Sequence, residues 1–298
     1  MLVICGAIPI KDSPLTVARP KLENGFLTLG TLRIPCTMGT GALVSAAMVT
    51  SEYLGVEGPT WVTAGDIGKG DGSRLMYDYL ADNLPKMNVD VLCFHYILPM
   101  LTPMRKVIDS VRGCQKRPIL IADAGGIYAA KAAGLATEFD VFTPDAGEMA
   151  FLADPKATHP AYMARHLFES DTNEIPKLIR EAYKYGNVPK ILLVKNPVDH
   201  IAKNGRIIAT IDEPNIPILE PIGGTGDTIA GMISALVSAG YDPCCATIIA
   251  AKANRMAGKF ANPKTRTKIW EIISQIPKVF DKYLKEWSND CNIETAER

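Results

Sequence analysis

Four times along the middle of the chain an apolar, β-rich run ends abruptly at a polar residue and gives way to a turn or helix. The four are Val89-Asp-Val-Leu-Cys-Phe-His95, Pro118-Ile-Leu-Ile-Ala-Asp123, Phe139-Asp-Val-Phe-Thr-Pro-Asp145 and Lys190-Ile-Leu-Leu-Val-Lys-Asn196. Continuous apolar runs separated by helical segments predict a parallel sheet covered on both faces. Ligands of such sheets bind outside the carboxyl ends of the strands, which is where His95, Asp123, Asp145, Lys195 and Asn196 fall. Thr60 to Ala64 and the run opening at Leu2 read as further strands, and Asn204-Gly205 predicts a hairpin turn inside 199–211.

Helical periodicity is clearest late in the chain. Ile229, Met232, Ile233, Leu236 and Val237 fall at i, i+3, i+4, i+7 and i+8, the stripe of a buried helix, and Gly240 supplies its stop. Met38 to Gly55 is a glycine turn opening a helix of small residues, a composition that packs closely on a sheet. Pro243 to Ala261 reads as a helix with a small-residue face that includes Asn254, and 265–287 as a last helix. Residues 288–298 read as a polar tail with little reason to order. With no internal repeat and no interdomain linker, 1–287 is expected to be a single α/β domain.

Composition narrows the partners. Lys plus Arg and Asp plus Glu number 32 each, so there is no electrostatic case for nucleic acid or a membrane surface. No segment approaches the ~18 unbroken apolar residues of a transmembrane helix. The 7 cysteines form no Cys-Xaa-Xaa-Cys pair and several lie in apolar runs, which points to a reducing cytoplasm.

The candidate chemistry centres on Gly223-Gly-Thr-Gly-Asp227, where glycines run directly into a helix. Glycines let a ligand approach the backbone, and the first turn of a helix presents unpaired N–H groups with a positive dipole end, so Gly224, Thr225 and Gly226 form a candidate anion hole. A carboxylate there would repel a phosphate unless its task is to take a proton from an attacking hydroxyl, which makes Asp227 a candidate base. The simpler alternative is that Thr225 or Asp227 only caps the helix, worth ~1 kcal/mol. A second glycine-rich loop, Gly65 to Ser73, fits neither a P-loop nor a dinucleotide fingerprint. It reads as a structural turn, with Asp66 its most plausible polar participant. His159 and His166 lack the carboxylate or thiolate that would complete a metal set.

Gly-Gly-Thr-Gly-Asp-Thr-Ile-Ala-Gly at 223–231 resembles the signature of ribokinase-like kinases, and within them the nucleotide-dependent NAD(P)H-hydrate dehydratase family. Ile121-Ala-Asp-Ala124, Thr143-Pro-Asp-Ala-Gly-Glu148 and Leu193-Val-Lys195 resemble further segments of that family. The resemblance implies a three-layer α/β/α sandwich with a mostly parallel central sheet. It implies Asp227 as catalytic base, an anion hole at 224–226, and Lys195 near the nucleotide phosphates. Asn254 falls beside the adenine, and Glu148 behind a Mg²⁺ held through water. The substrate side takes Asp123, Asp145 and Asn196, and the helix at 38–55 borders the cleft. The implied cofactors are ATP or ADP with Mg²⁺, and the substrate is a small hydroxyl compound such as NAD(P)H hydrate. Asn196-Pro197 departs from the family's glycine after the lysine. The long, aromatic 155–176 segment reads as a lid or a homo-oligomer contact. Two other functions share these motifs: a kinase of a hydroxymethyl heterocycle, vitamin or sugar, and a nucleotide-binding protein without catalysis.

Overall fold

In the computed structural model, which describes residues 1–157 and 174–296 with side chains through 291, the four apolar runs form adjacent strands. These are β7 (Val91–Phe94), β8 (Ile119–Ala122), β9 (Val141–Phe142) and β10 (Ile191–Val194), paired in parallel in that order. β1 (Leu2–Cys5) pairs with β7, and β6 (Thr60–Thr63) with β1, both in parallel. Antiparallel strands finish the edges: β2 (Thr16–Ala18) on β6, and β11 (Asp199–Lys203) on β10, followed by β12 (Arg206–Ile211). The order β12-β11-β10-β9-β8-β7-β1-β6-β2 is the mostly parallel sheet that the apolar runs predict. Asn204 and Gly205, with φ of 50° and 82°, make the expected hairpin turn.

The α-helices of the described residues are, in chain order, α1 (Thr40–Tyr53), α2 (Asp71–Asn83), α3 (Leu101–Arg112), α4 (Gly125–Ala132), α5 (Ala146–Ala153), α6 (Ile175–Lys184), α7 (Thr225–Ser238), α8 (Pro243–Phe260), α9 (Ile269–Ile273) and α10 (Ile276–Ala296). Two compact units divide them. The first comprises Met1–Arg19 and Thr60–Thr210, and the second Pro20–Pro59 and Ile211–Arg298. No helix of the described residues is long and apolar enough to cross a membrane.

In the first unit, strand residues two apart share a core face. Val3 and Cys5, Leu92 and Phe94, Leu120 and Ala122, and Leu192 and Val194 join one buried cluster with residues of α2 to α6. On α3 the buried set Met104, Val107, Ile108 and Val111 has helical spacing. Lys131 of α4 is an exception to the apolar rule. Its Nζ donates to the carbonyls of Phe151 and of Asp154 (2.6 Å) and lies 4.1 Å from the Phe151 ring centroid, closing the end of α5. Burial lowers its pKa to about 8, against a smaller opposing effect of Asp154.

The second unit contains α1, α7 to α10 and a three-stranded antiparallel sheet of β3 (Lys21–Glu23), β4 (Phe26–Leu29) and β5 (Leu32–Pro35). The close approach of α1 and α7 depends on Gly231, where a Cβ would run into the carbonyl oxygen of Leu43. The last helix differs from the expected 265–287. It is divided into α9 and α10, and α10 continues to Ala296, within the stretch read as a polar tail. The reason is its apolar face, since Leu284, Trp287 and Cys291 are all buried at helical spacing.

Gly231→Ala is expected to destabilise the protein by about 1–3 kcal/mol, because the obstruction is backbone rather than a movable side chain. A lower urea midpoint with unchanged slope checks it. The Lys131 proton gives a second expectation. Its unfolded-state reference is 10.5 and its folded pKa about 8, so between these values the unfolded chain binds more protons and stability rises with pH. Relative to Lys131→Met, the wild type should therefore gain stability from about pH 7 to about pH 10. Denaturant titrations at both pH values should show that gain, and a constant difference would contradict the buried ammonium.

Candidate functional site

The strand ends of the first unit bring together most of the polar residues expected there. β8 ends at Asp123, which is 0% exposed. Its Oδ1 accepts from Lys195 Nζ at 2.6 Å and from the Ala124 amide at 2.9 Å. Its Oδ2 is buried without a hydrogen-bond partner, and His95 Nε2, at the end of β7, is 4.0 Å away. His95 is fully buried and packs on the ring of Tyr96, with centroids 4.3 Å apart.

Local backbone fixes Asp123. Ala124 has φ 47°, in a region costly for a residue with a Cβ, and it precedes Gly125 and Gly126. A Cβ on Gly125 would meet the Ile97 carbonyl, and one on Gly126 would lie 2.8 Å from Phe94 Cβ. The Gly126 amide also donates to the His95 carbonyl at 3.0 Å. The glycine pair thus lets the start of α4 press against the end of β7, a role that sequence reading missed although two adjacent glycines at a strand-to-helix junction were a signal for it.

Asp145 and Glu148 form a capping box at the start of α5. Asp145 Oδ1 accepts from the Glu148 amide at 2.7 Å, and Glu148 Oε2 from the Asp145 amide at 2.9 Å. Glu148 is buried, and burial is the main cause that pushes its pKa up to about 8; Asp145 and Asp123 add to this, while Lys195 opposes it. A divalent cation would favour its charged form, and a carboxylate oxygen is the kind of donor that Mg²⁺ takes, directly or through water. Tyr128 of α4 was not anticipated. Burial, then the charges of Glu148 and Asp145, raises its pKa. Lys195 donates its amide to the Pro144 carbonyl at 2.8 Å, and the Asn196 amide donates to Asp199 at 3.2 Å, which accounts for the altered turn after the lysine.

In the second unit the glycine cluster opens α7. Gly224 is left-handed, with φ 98°, and no side chain caps the helix. The first amides therefore lack intrahelical acceptors, a fit to a phosphate. A Cβ at Gly224 would lie 3.1 Å from both Ala42 Cβ and Ile269 Cγ1. Asp227 Oδ2 accepts from the Gly39 amide at 2.6 Å, so the second glycine turn of the sequence orients the candidate base. Nothing in the residues themselves announced that link. Thr225 Oγ1 donates to the Ile222 carbonyl at 3.3 Å, and Asn254 Oδ1 accepts from Thr228 Oγ1 at 2.7 Å.

The loop at 65–73 is a structural turn. The Asp66 carboxylate accepts from the amides of Gly68, Lys69, Gly70 and Ser73 and from the Ser73 hydroxyl, at 2.7 to 3.1 Å. Partial burial works to raise its pKa, but these hydrogen bonds outweigh it and the pKa is lowered. A cavity of 660 Å³ lies elsewhere, lined by Met87, Asp90 and Lys116 before the strands begin, with no convergent reactive groups. His159 and His166, and most of the 155–176 segment, lie outside the described residues.

The sequence profile of a family described as NAD(P)H-hydrate dehydratase matches residues 98–278. An uncharacterized protein of Methanocaldococcus jannaschii is 42% identical over 243 residues, which is 82% of this chain and 100% of that one. The bifunctional NAD(P)H-hydrate repair enzyme of Pyrobaculum aerophilum is 25% identical over 297 residues, covering 96% of this chain but 51% of that one, so the chain spans about half its length. A crystal structure of the ADP/ATP-dependent NAD(P)H-hydrate dehydratase from Bacillus subtilis, co-crystallized with ATP/Mg²⁺ and soaked with CoA, overlays with a TM-score of 0.56 at 15% identity, covering 94% of this chain and 90% of that one. At that identity the likeness shows the fold, which is the ribokinase-like α/β fold with a large, mostly parallel sheet.

Asp66→Asn should cost about 1–3 kcal/mol of stability, because it leaves the Ser73 amide or hydroxyl without its acceptor. The Asp66 contribution is present above its unfolded pKa, near the reference 3.8, and is lost as pH falls through the lower folded value. Unfolding midpoints of wild type and variant should accordingly differ at neutral pH and converge in acid.

Proposed function

Because the chain belongs to the NAD(P)H-hydrate dehydratase family, we propose that it restores NAD(P)H from its hydrate by phosphorylating the substrate hydroxyl with ATP or ADP and then eliminating phosphate. The observation that carries this reading is the start of α7, an uncapped helix end with a carboxylate in its first turn held by a neighbouring amide. The substrate hydroxyl gives its proton to Asp227 as it attacks the terminal phosphoryl group. The Gly39 amide fixes the orientation of that carboxylate at 2.6 Å. The amides of Gly224, Thr225 and Gly226 stabilise the charge that develops on the transferred group. Lys195 adds positive charge for the phosphates, and Asn254 serves the adenine side. Asp123, Asp145 and Asn196 face the substrate. Mg²⁺, held through water by Glu148, supplies neutralising charge when bound.

Incubating the protein with NADH hydrate and ATP or ADP should restore the absorbance of NADH. Asp227→Asn should lower that rate by ~10²- to 10⁴-fold, the usual consequence of losing a general base. Turnover of the variant within ~10-fold of wild type would reject Asp227 as the base. Nucleotide consumption with a hydroxymethyl heterocycle, and none with the hydrate, would favour a kinase instead.

A further inference from the structure

Dehydration of a hydrate removes a hydroxyl from one carbon and a proton from its neighbour. When the hydroxyl leaves as phosphate, two proton transfers are therefore required, one from O–H and one from C–H. Asp227 is assigned the first. A carboxyl group that has taken that proton cannot accept a second until it has released it, so the elimination calls for another acceptor.

We propose that Asp123 is that second acceptor, an inference that rests on the proposed function. In the elimination the C–O bond to phosphate breaks and its electron pair leaves with the phosphate. The C–H bond of the adjacent carbon breaks, its proton passes to Asp123 Oδ2, and its electron pair forms the new C=C bond. No oxidant or reductant is needed.

The hydrogen-bond inventory of the strand ends singles out this residue. Asp145 Oδ1 and Glu148 Oε2 are committed to the capping box. Asp199 Oδ1 holds the Asn196 turn. Asp123 divides its two oxygens: Oδ1 takes both Lys195 Nζ and the Ala124 amide, while Oδ2 takes nothing. Among the described residues, Oδ2 is the only carboxylate oxygen buried without a hydrogen bond. Leaving a buried acceptor unpaired is a net cost to folding, which a purely structural carboxylate has no reason to bear. Lys195 Nζ and the Ala124 amide both hold Oδ1, whereas at Oδ2 the His95 Nε2 is 4.0 Å away, too far for a hydrogen bond.

The test separates the two half-reactions. Wild type, Asp123→Asn and Asp123→Glu are each mixed with NADH hydrate and ATP, following ADP, NADH absorbance and the phosphorus-31 spectrum. The Glu variant keeps the charge that pairs with Lys195 and guards against failure of the Asn variant to fold. The expected result is that NADH formation falls by ~10²-fold or more and further than phosphorylation does, so that a phosphomonoester of the substrate accumulates before inorganic phosphate appears. A merely structural role would depress both steps together, and that outcome in a folded variant overturns the inference. So does NADH formation that keeps pace with ADP in both variants. If wild type itself does not convert the hydrate, the proposed function falls and this inference with it, whereas an active wild type with coupled variants removes only the inference.

Discussion

A parallel strand buried on both faces favours apolar side chains along its length, and in this chain that constraint decides where the charged groups of the sheet gather. β1, β7 and β10 are buried at every position. Polar groups appear where the ladder stops, at His95, Asp123, Asp145 and Lys195, and since the strands are parallel and adjacent they stop on the same side. The Asp123–Lys195 ion pair at 2.6 Å joins the ends of strands β8 and β10, which are separated in the sheet by β9. It joins residues 72 apart in sequence by way of the topology alone.

The second unit solves a different problem by close approach. Gly231 lets the backbones of α1 and α7 come together, and Gly224 turns the chain into α7 where any side chain would press on Ala42 and Ile269. The same proximity carries the Gly39 amide to Asp227. Glycines of one motif therefore have separate physical tasks. One admits a neighbouring helix, and another makes a left-handed turn that leaves amides uncovered.

Much of this was legible in the sequence. The sheet followed from four apolar runs, the hairpin from Asn204-Gly205, and the helix at 225–238 from its stripe, because each is a local pattern with a local cause. The Asp123–Lys195 pairing was only half legible: topology placed both residues at strand ends, but which oxygen meets which nitrogen depends on the turn at Ala124. The capping box of Asp145 and Glu148 shows that a residue expected to serve a ligand can also hold a helix start. The extension of α10 past residue 288 was missed because Trp287 and Cys291 are few apolar residues in a polar stretch, and their burial depends on packing partners remote in sequence.

The Asp66 loop has a thermodynamic consequence. Its carboxylate satisfies four consecutive-region amides and a hydroxyl from within the chain, the service that loops of this composition elsewhere obtain from a bound anion. The conformational entropy of a segment with four glycines is therefore lost when the protein folds, not when it meets a ligand. Through the Ser73 hydroxyl, which also accepts the Leu98 amide at 2.9 Å, that early ordering reaches the segment following β7. The loop acts as preassembled scaffolding, ordered by its own carboxylate before anything binds near it.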